Sequence, residues 1–462
     1  MKTKINKIKA TDEKISSRGG LSLFLRYIEN IKLYELINSV VIIKLIFSSK
    51  GLNLQQFLKQ MFAHFIDGTD MSISSFDKKK KDNGYASVLE NTKNELASSH
   101  QIKRMFFKFI IIPNTLYNKI LHKLFIWRLK IESPKIIIMG IDTMVLDNDD
   151  SKKKEGCEVT YKKKKGFQPL HISWGTFLID VLFRNGKAHS NHGTDYINRV
   201  TAIVELIRKQ YSSKIPIILC ADSGFSDQKA FDYFDEINVH FIITSRIYDD
   251  IKEYAAELPS EQYNELSKDK AIWKYFDFAS KRGTWTQFRR SIFTTLSCDQ
   301  TGQYVISLGN KRTDNLIFTN IGTNKIADKR LKTAGAEKYF KAENIVALSH
   351  QRGADELIHR SIKELATKEQ LPFKRMGMNR AYYFLLVISH FIFETYKRDV
   401  TNDVIPISSY PNTFRRKIID FAVKITSGSG YVILNVPRTI FENFKINDLW
   451  KKCQSPPIIQ FG

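Results

Sequence analysis

Cysteine is too sparse and too scattered in this sequence to organise a fold. Cys157, Cys220, Cys298 and Cys453 include no C-x-x-C pair. Neither a structural zinc site nor a disulfide framework is expected, and such usage fits a reducing cytoplasm. Long apolar runs are missing too. The two longest, ELINSVVIIKLIF and AYYFLLVISHFIF, fall short of the ~20 residues of a membrane span, and the first contains Lys44. Both read as core helices. The basic N-terminal stretch MKTKINKIKATDEKISSRGG has no apolar h-region, so no secretory signal is expected. No internal repeat is visible.

The remaining shortage is of acidic residues. Against 72 Lys and Arg stand 48 Asp and Glu, a formal net charge of +24 over 462 residues. That excess favours a polyanionic partner, with nucleic acid ahead of a ribosomal or membrane-surface role. What the chain does have is apolar bulk: 43% hydrophobic residues, including 32 Phe and 19 Tyr. This excludes a disordered chain and allows several packed units.

Residues 1–130 alternate helical apolar patterns with polar loops. In GGLSLFLRYIENIKLYELI, Leu23, Leu25, Ile28, Ile31, Leu33 and Leu36 recur at helical spacing. DGTDMSISSFDKKKKDNGY reads as a loop, and SSHQIKRMFFKFI as a helix able to face DNA. A helical N-terminal DNA-binding region is expected here, with a plain helical bundle as the alternative on these residues. From residue 131 to 247 the pattern becomes β, β-hairpin, α, β, α, β, a mixed α/β sheet. KIIIMGID is the first strand, LHISWGTFLIDVLF the hairpin about Gly175, and IPIILCAD and HFIITSRI the later strands. Residues 248–345 form a β-rich insertion, with GTWTQFRRSIFTTLS, GQYVISLG and DNLIFTNIG as strand-like runs. Residues 346–400 complete the core with helices, and 401–462 form a C-terminal region of unclear role.

Three carboxylates stand out. Asp142 ends the first strand and Asp222 the fourth, and such strand ends are the ligand-facing rim of an α/β sheet. The third is Glu356, in SHQRGADELIHRSIKEL. At about 100° per residue, Arg352, Glu356, His359 and Lys363 fall within roughly 60° of one another. Leu357, Ile358, Ile362 and Leu365 cluster on the opposite side. The bland alternatives are a solvated helix face with i,i+4 pairs, and an Asp222 that merely caps the helix after it. Carboxylates converging on a rim instead suit Mg²⁺, a hard cation that takes oxygen ligands. Two such ions about 3.5–4 Å apart would stabilise the attacking and leaving oxygens at a phosphodiester.

GIDTM, ADSGF and QRGADELIHRSIKE resemble the three signature blocks of bacterial insertion-sequence transposases of the DDE (Asp-Asp-Glu) class, nearest to the branch called transposase DDE domain group 1. GGLSLFLRYIENIKLYELI resembles that branch's N-terminal block, and LPFKRMGMNRAYYFLLVISHFIFE the segment after its Glu helix. The resemblance therefore covers most of the chain. It implies a ribonuclease-H-like core with a β-rich insertion between the second Asp and the Glu. It also implies a catalytic, metal-binding triad of Asp142, Asp222 and Glu356, holding two Mg²⁺ ions with Mn²⁺ able to substitute. Arg352 and Lys363 match the basic members of a Tyr-Arg-Glu-Lys signature and would hold phosphates beside the cut; Ser349 stands where that signature carries Tyr.

The implied activity is metal-dependent cleavage at terminal inverted repeats, followed by direct attack of the freed 3′-OH on target DNA. The implied partners are double-stranded DNA and a second copy of the chain, in a bacterial cytoplasm at the nucleoid, with no membrane. His359 and the run Lys162, Lys163, Lys164 and Lys165 are further DNA-binding candidates. Lys78–Lys81, the stacking candidates Trp273 and Trp285, and Asp147, Asp149 and Asp150 as stray metal ligands carry less weight. Two other readings compete. One is a metal-dependent phosphotransferase or phosphatase with a strand ending in Asp-x-Asp, disfavoured because Met144 occupies the second position. The other is a catalytically decayed transposase relative that only binds DNA.

Overall fold

The structure, a computed structural model, describes residues 5, 7–39, 52–150, 153–188, 195–268, 271–283, 285–299, 314–350, 353–365, 369–428 and 431–460; side chains are described for all of these except 353–356. Arg352 and the strand-like GQYVISLG lie outside the described residues. The chain forms two units, one of residues 121–152 and 156–359, the other of residues 1–120, 153–155 and 360–462. These limits cut across the five segments read from the sequence, because the last hundred residues belong with the first.

In the first of these units the described residues build one nine-stranded sheet. Its strands are β1 (Ile137–Thr143), β2 (Leu170–Trp174), β3 (Phe177–Leu182), β4 (Ile217–Ala221), β5 (His240–Ser245), β6 (Asn264–Lys268), β7 (Ala271–Ser280), β8 (Arg289–Cys298) and β9 (Asn315–Thr319). Their order is β6-β7-β8-β9-β5-β4-β1-β2-β3. β4 is wholly buried, as an unbroken apolar run must be when a parallel strand is covered on both faces. Gly175, at φ +56, closes the β2–β3 turn in a backbone region that favours glycine. β1, β4 and β5 run parallel, while β2 and β3 are antiparallel to their neighbours. From β3 to β5 this is the 3-2-1-4-5 arrangement of a ribonuclease-H-like sheet.

Among the described residues the β-rich insertion forms no sheet of its own. β9 pairs antiparallel with β5, Leu316 opposite Ser245, so β6–β9 continue the core sheet. An exposed edge of β5 would leave a row of backbone groups unpaired, and these strands satisfy them. Arg289 of β8 ties the added strands to the helix Gln228–Glu236 through Asp232 and Asp235. One face of the sheet buries Ile218, Cys220, Ile242 and Ile317 against Ile345, Val346 and Leu348. Those last three lie on the helix Ala342–His350.

The other unit is mainly helical. Helices Gly20–Asn30 and Leu54–Asp67 bury their apolar faces, and Met376–Tyr396 is buried along most of its length. On the last, Phe384 stacks on Tyr117 with ring centroids 4.7 Å apart. The stretch read as a loop holds two short helices, Ser75–Lys79 and Asn83–Val88; a polar helix turn with few apolar positions carries little periodic signal. The C-terminal region also has a clear structural role. Its strands Val423–Gly428 and Tyr431–Asn435 form a sheet with Lys14–Ser16. Arg415 donates to the carbonyls of Phe65 (2.7 Å), Ile66 (2.7 Å) and Glu364 (2.9 Å). Gly68, at φ +62, makes room for it, since a Cβ there would lie 2.2 Å from the guanidinium carbon. Among the described residues, no helix is long and apolar enough to cross a membrane.

Candidate functional site

β1 and β4 are neighbours in parallel register, with Ile141 beside Ala221. The next residue on each is an aspartate, so Asp142 and Asp222 emerge side by side at the C-terminal rim. Side chains alternate along a strand. Asp142 therefore shares the face of Ile138 and Gly140, whose register partners Ile218 and Cys220 lie in the cluster with Ile345 and Val346. Each carboxylate is oriented by the backbone that follows it. The amide of Thr143 donates to Asp142 Oδ1 (2.7 Å), and that of Gly224 to Asp222 Oδ1 (2.8 Å). Both are partly exposed. Asp222 does cap something, the three-residue 3-10 turn Ser223–Phe225, but the helix Gln228–Glu236 is capped by Asp227 instead.

The helix Gly353–Leu365 carries Glu356 and His359. His359 Nε2 lies 4.0 Å from Asp142 Oδ2. Its ring is 5.6 Å from that of His171, the buried residue opposite Asp142 on β2. Glu356 sits three residues before His359, less than one helical turn, so its backbone belongs to the turn beside Asp142; its side chain is outside those described. Among the described residues, no three His, Cys, Asp or Glu side chains form a metal-binding group. Ile358, Ile362 and Leu365 are buried as expected. Leu357 is not: it is 49% exposed, because it falls outside the i, i+4, i+7 stripe that packs inward.

Tertiary contacts separate the remaining candidates. Lys162–Lys165 lie at a hairpin between the strands Glu158–Val159 and Lys165–Phe167, and all four are exposed. Lys164 Nζ is ion-paired with Asp147 Oδ2 at 2.6 Å, and the backbone amide of Lys165 donates to Asp149 Oδ1 at 3.2 Å. Asp147 and Asp149 thus brace this hairpin. Lys363 pairs with Glu369 at 2.6 Å, a contact that has to open before Lys363 can hold a phosphate. Lys79 of the other lysine run is committed to the buried Asp67 at 2.6 Å.

Trp285 is buried against Phe231 and Phe318, and Trp273 packs on His350 with ring centroids 4.0 Å apart. Both tryptophans therefore have packing roles. Ser349 is buried at the end of the helix Ala342–His350, so this position presents no aromatic ring at the surface.

Two residues near the rim escaped the sequence reading. His171 looked like an ordinary strand residue until pairing put it opposite Asp142. Tyr161 is 57% exposed, with Lys162 Nζ 5.8 Å from its ring centroid. Burial of its hydroxyl, and then the charges of Asp142 and Asp222, push its pKa above the usual phenol value. Its phenol therefore lies within the field of both carboxylates. An aromatic residue directly before a lysine run was the available signal.

The sheet order, the adjacent strand-end aspartates and the helix that sets His359 beside Asp142 place the chain in the ribonuclease-H-like class. The transposase DDE domain group 1 family matches residues 2–455, and the chain belongs to that family. No curated protein sequence matches it. Among solved structures, a piggyBac transposase synaptic complex with hairpin DNA is similar at 12% identity, over 88% of this chain and 82% of that chain, with a TM-score of 0.42.

Proposed function

We propose that this DDE-family transposase binds the terminal inverted repeats of its own element, cleaves the ends, and joins each freed 3′-OH to target DNA by direct transesterification. The observation that carries the reading is the register pair Ile141–Ala221, which makes Asp142 and Asp222 neighbours at one rim. The donor set is all oxygen on these two strands, as hard divalent cations require. Asp142, Asp222 and Glu356 would hold two Mg²⁺ ions, with Mn²⁺ able to substitute. Bound there, such ions polarise the phosphodiester and make water a better nucleophile.

The chain's own residues supply the positioning. Thr143 and Gly224 amides aim the two carboxylates. His359 stands beside Asp142 on the helix that carries Glu356. Lys162 and Lys163 lie on the hairpin whose Tyr161 is within the field of both aspartates, where they can hold backbone phosphates; Arg352 and, once its pair with Glu369 opens, Lys363 would do the same. In the helical unit, His100, Lys103 and Arg104 form an exposed basic strip on the helix Ser99–Lys108, while Ile102, Met105 and Phe106 face inward. That strip is the surface for end recognition. Two copies would bring two ends together, in the cytoplasm at the nucleoid.

The test is a cleavage assay on DNA carrying the repeats that flank the coding region, with Mg²⁺ and with EDTA. Nicking at the repeat ends with Mg²⁺ alone is the expected outcome. Repeat-specific binding without cleavage under any divalent cation would mark a decayed, DNA-binding relative instead. Affinity should also be steeply salt-dependent. Contact with roughly 6–10 phosphates lowers it by about 10³–10⁵ between 50 and 200 mM salt. A nearly flat salt titration would reject the polyanion reading.

A further inference from the structure

Beside Asp222 the rim continues onto β5 and the insertion. Ala221 pairs with Ile243, so the end of β5 at Ser245 lies on the same rim. The 3-10 turn headed by Asp222 leads into Ser226, whose hydroxyl donates to Ser245 Oγ at 3.0 Å. Arg282, on the loop between β7 and β8, donates to that same Ser245 hydroxyl, and more weakly to the carbonyl of Arg246 at 3.5 Å. Three rings surround its guanidinium: Tyr248 at 4.9 Å, Trp285 at 5.3 Å and Phe318 at 5.9 Å from their centroids.

Within the described residues the charge of Arg282 is left without a neutralising acid. Two other arginines of the insertion are matched with acids, Arg289 with Asp232 and Asp235, and Arg290 with Asp277. Among the described residues no carboxylate pairs with Arg282. Its Nε is buried without a hydrogen-bond partner. Only ring faces and neutral oxygens hold it, and its neighbours Arg246 and Lys281 are exposed cations. A guanidinium held by rings and neutral oxygens at a partly exposed rim, with no counter-ion among the described residues, is pre-organised for an external anion. Packing alone would not require a charge here, since a long apolar side chain could fill the same cage.

We propose that Arg282 is a phosphate-binding residue, holding the backbone of the DNA strand that passes Asp222 and so positioning it for the cut. The inference rests on the transposase reading above. Arg282→Met keeps the side-chain bulk within the cage and removes the charge, while Arg282→Lys keeps the charge without the fork. The full-length protein is titrated with an end-containing duplex over a range of NaCl concentrations, and its melting temperature is followed alongside.

For Arg282→Met, the slope of log affinity against log salt should flatten by about 0.9, the value of one lost phosphate contact. Affinity at low salt should fall severalfold, with the melting temperature held. Arg282→Lys should recover the slope. A neutral methylphosphonate placed at the contacted phosphate should weaken the wild type and leave Arg282→Met indifferent. An unchanged slope in Arg282→Met, or a lowered melting temperature with wild-type slope, makes the cage purely structural and overturns the proposal while the transposase reading stands. A wild type that does not bind the duplex overturns both.

Discussion

Asp222→Asn should bind element ends with wild-type affinity and fail to cut or join them, the rate falling by about a thousandfold or more. The substitution is nearly isosteric. Asparagine's side-chain oxygen can still accept from the Gly224 amide, the contact that shapes the 3-10 turn, so the rim keeps its form. What disappears is one negative charge of the proposed cation site, and a metal bound there would contribute several kcal/mol of transition-state stabilisation, each 1.36 kcal/mol being tenfold in rate. Asp142→Asn should behave alike, since its Oδ1 contact to Thr143 also survives. Single-turnover cleavage measured beside fluorescence anisotropy separates chemistry from binding. Metal-dependent cutting at wild-type rate by either variant would remove these residues from the reaction.

The largest stability effect is expected far along the chain from that chemistry, at Asp67. This carboxylate is 3% exposed and takes two cations, Lys79 at 2.6 Å and Arg18 at 2.8 Å. Arg18 reaches on to Asp420, binding the C-terminal region into the same network. Beside it, burial and the Lys79 charge hold the pKa of His64 down at about 3, so its ring stays neutral and its Nδ1 can accept from Lys79 at 3.4 Å. Removing one partner of a buried pair strands the other charges and costs about 3–5 kcal/mol. Asp67→Ala should therefore lower unfolding stability by that amount, read from urea titration. A loss below about 1 kcal/mol would mean that water reaches the cations.

The same residue sets a pH dependence. Burial raises the Asp67 pKa, but Lys79, Thr69 and Arg18 outweigh it, and the net value lies below that of an ordinary aspartate. A depressed carboxylate adds stability above its unfolded pKa, about 3.9, and that contribution is lost as pH falls through the folded value. Wild-type stability should therefore drop more steeply below about pH 4 than that of Asp67→Ala. Parallel acid limbs for the two proteins would contradict the assignment.

Much of this was legible in the residues alone. Apolar runs ending in acid at Asp142 and Asp222 mark strands that open on a rim, because hydrophobic periodicity is a local signal and a charge after a buried run has few places to sit. The helix with Glu356, His359 and a buried Ile358–Ile362–Leu365 stripe was visible in the same way, with Leu357 the position where an angular average failed. The helical Met376–Tyr396 segment and the strand-rich insertion were also readable, though not that the insertion would extend the core sheet across β5.

Partnership was decided only by the fold. A lysine run looks uniform in sequence, yet Lys164 answers to Asp147, Lys79 to Asp67 and Lys363 to Glu369, while Arg282 pairs with no acid among the described residues. His171 came to oppose Asp142 through strand pairing, and Arg415 joined residues more than three hundred positions away to the first helices. The physical reason is range. Burial pattern and backbone propensity act within a few residues, so the chain alone specifies its elements and where its acids fall on them. Which charges meet, and which remain available to a polyanion, depends on contacts that exist only once distant segments have packed.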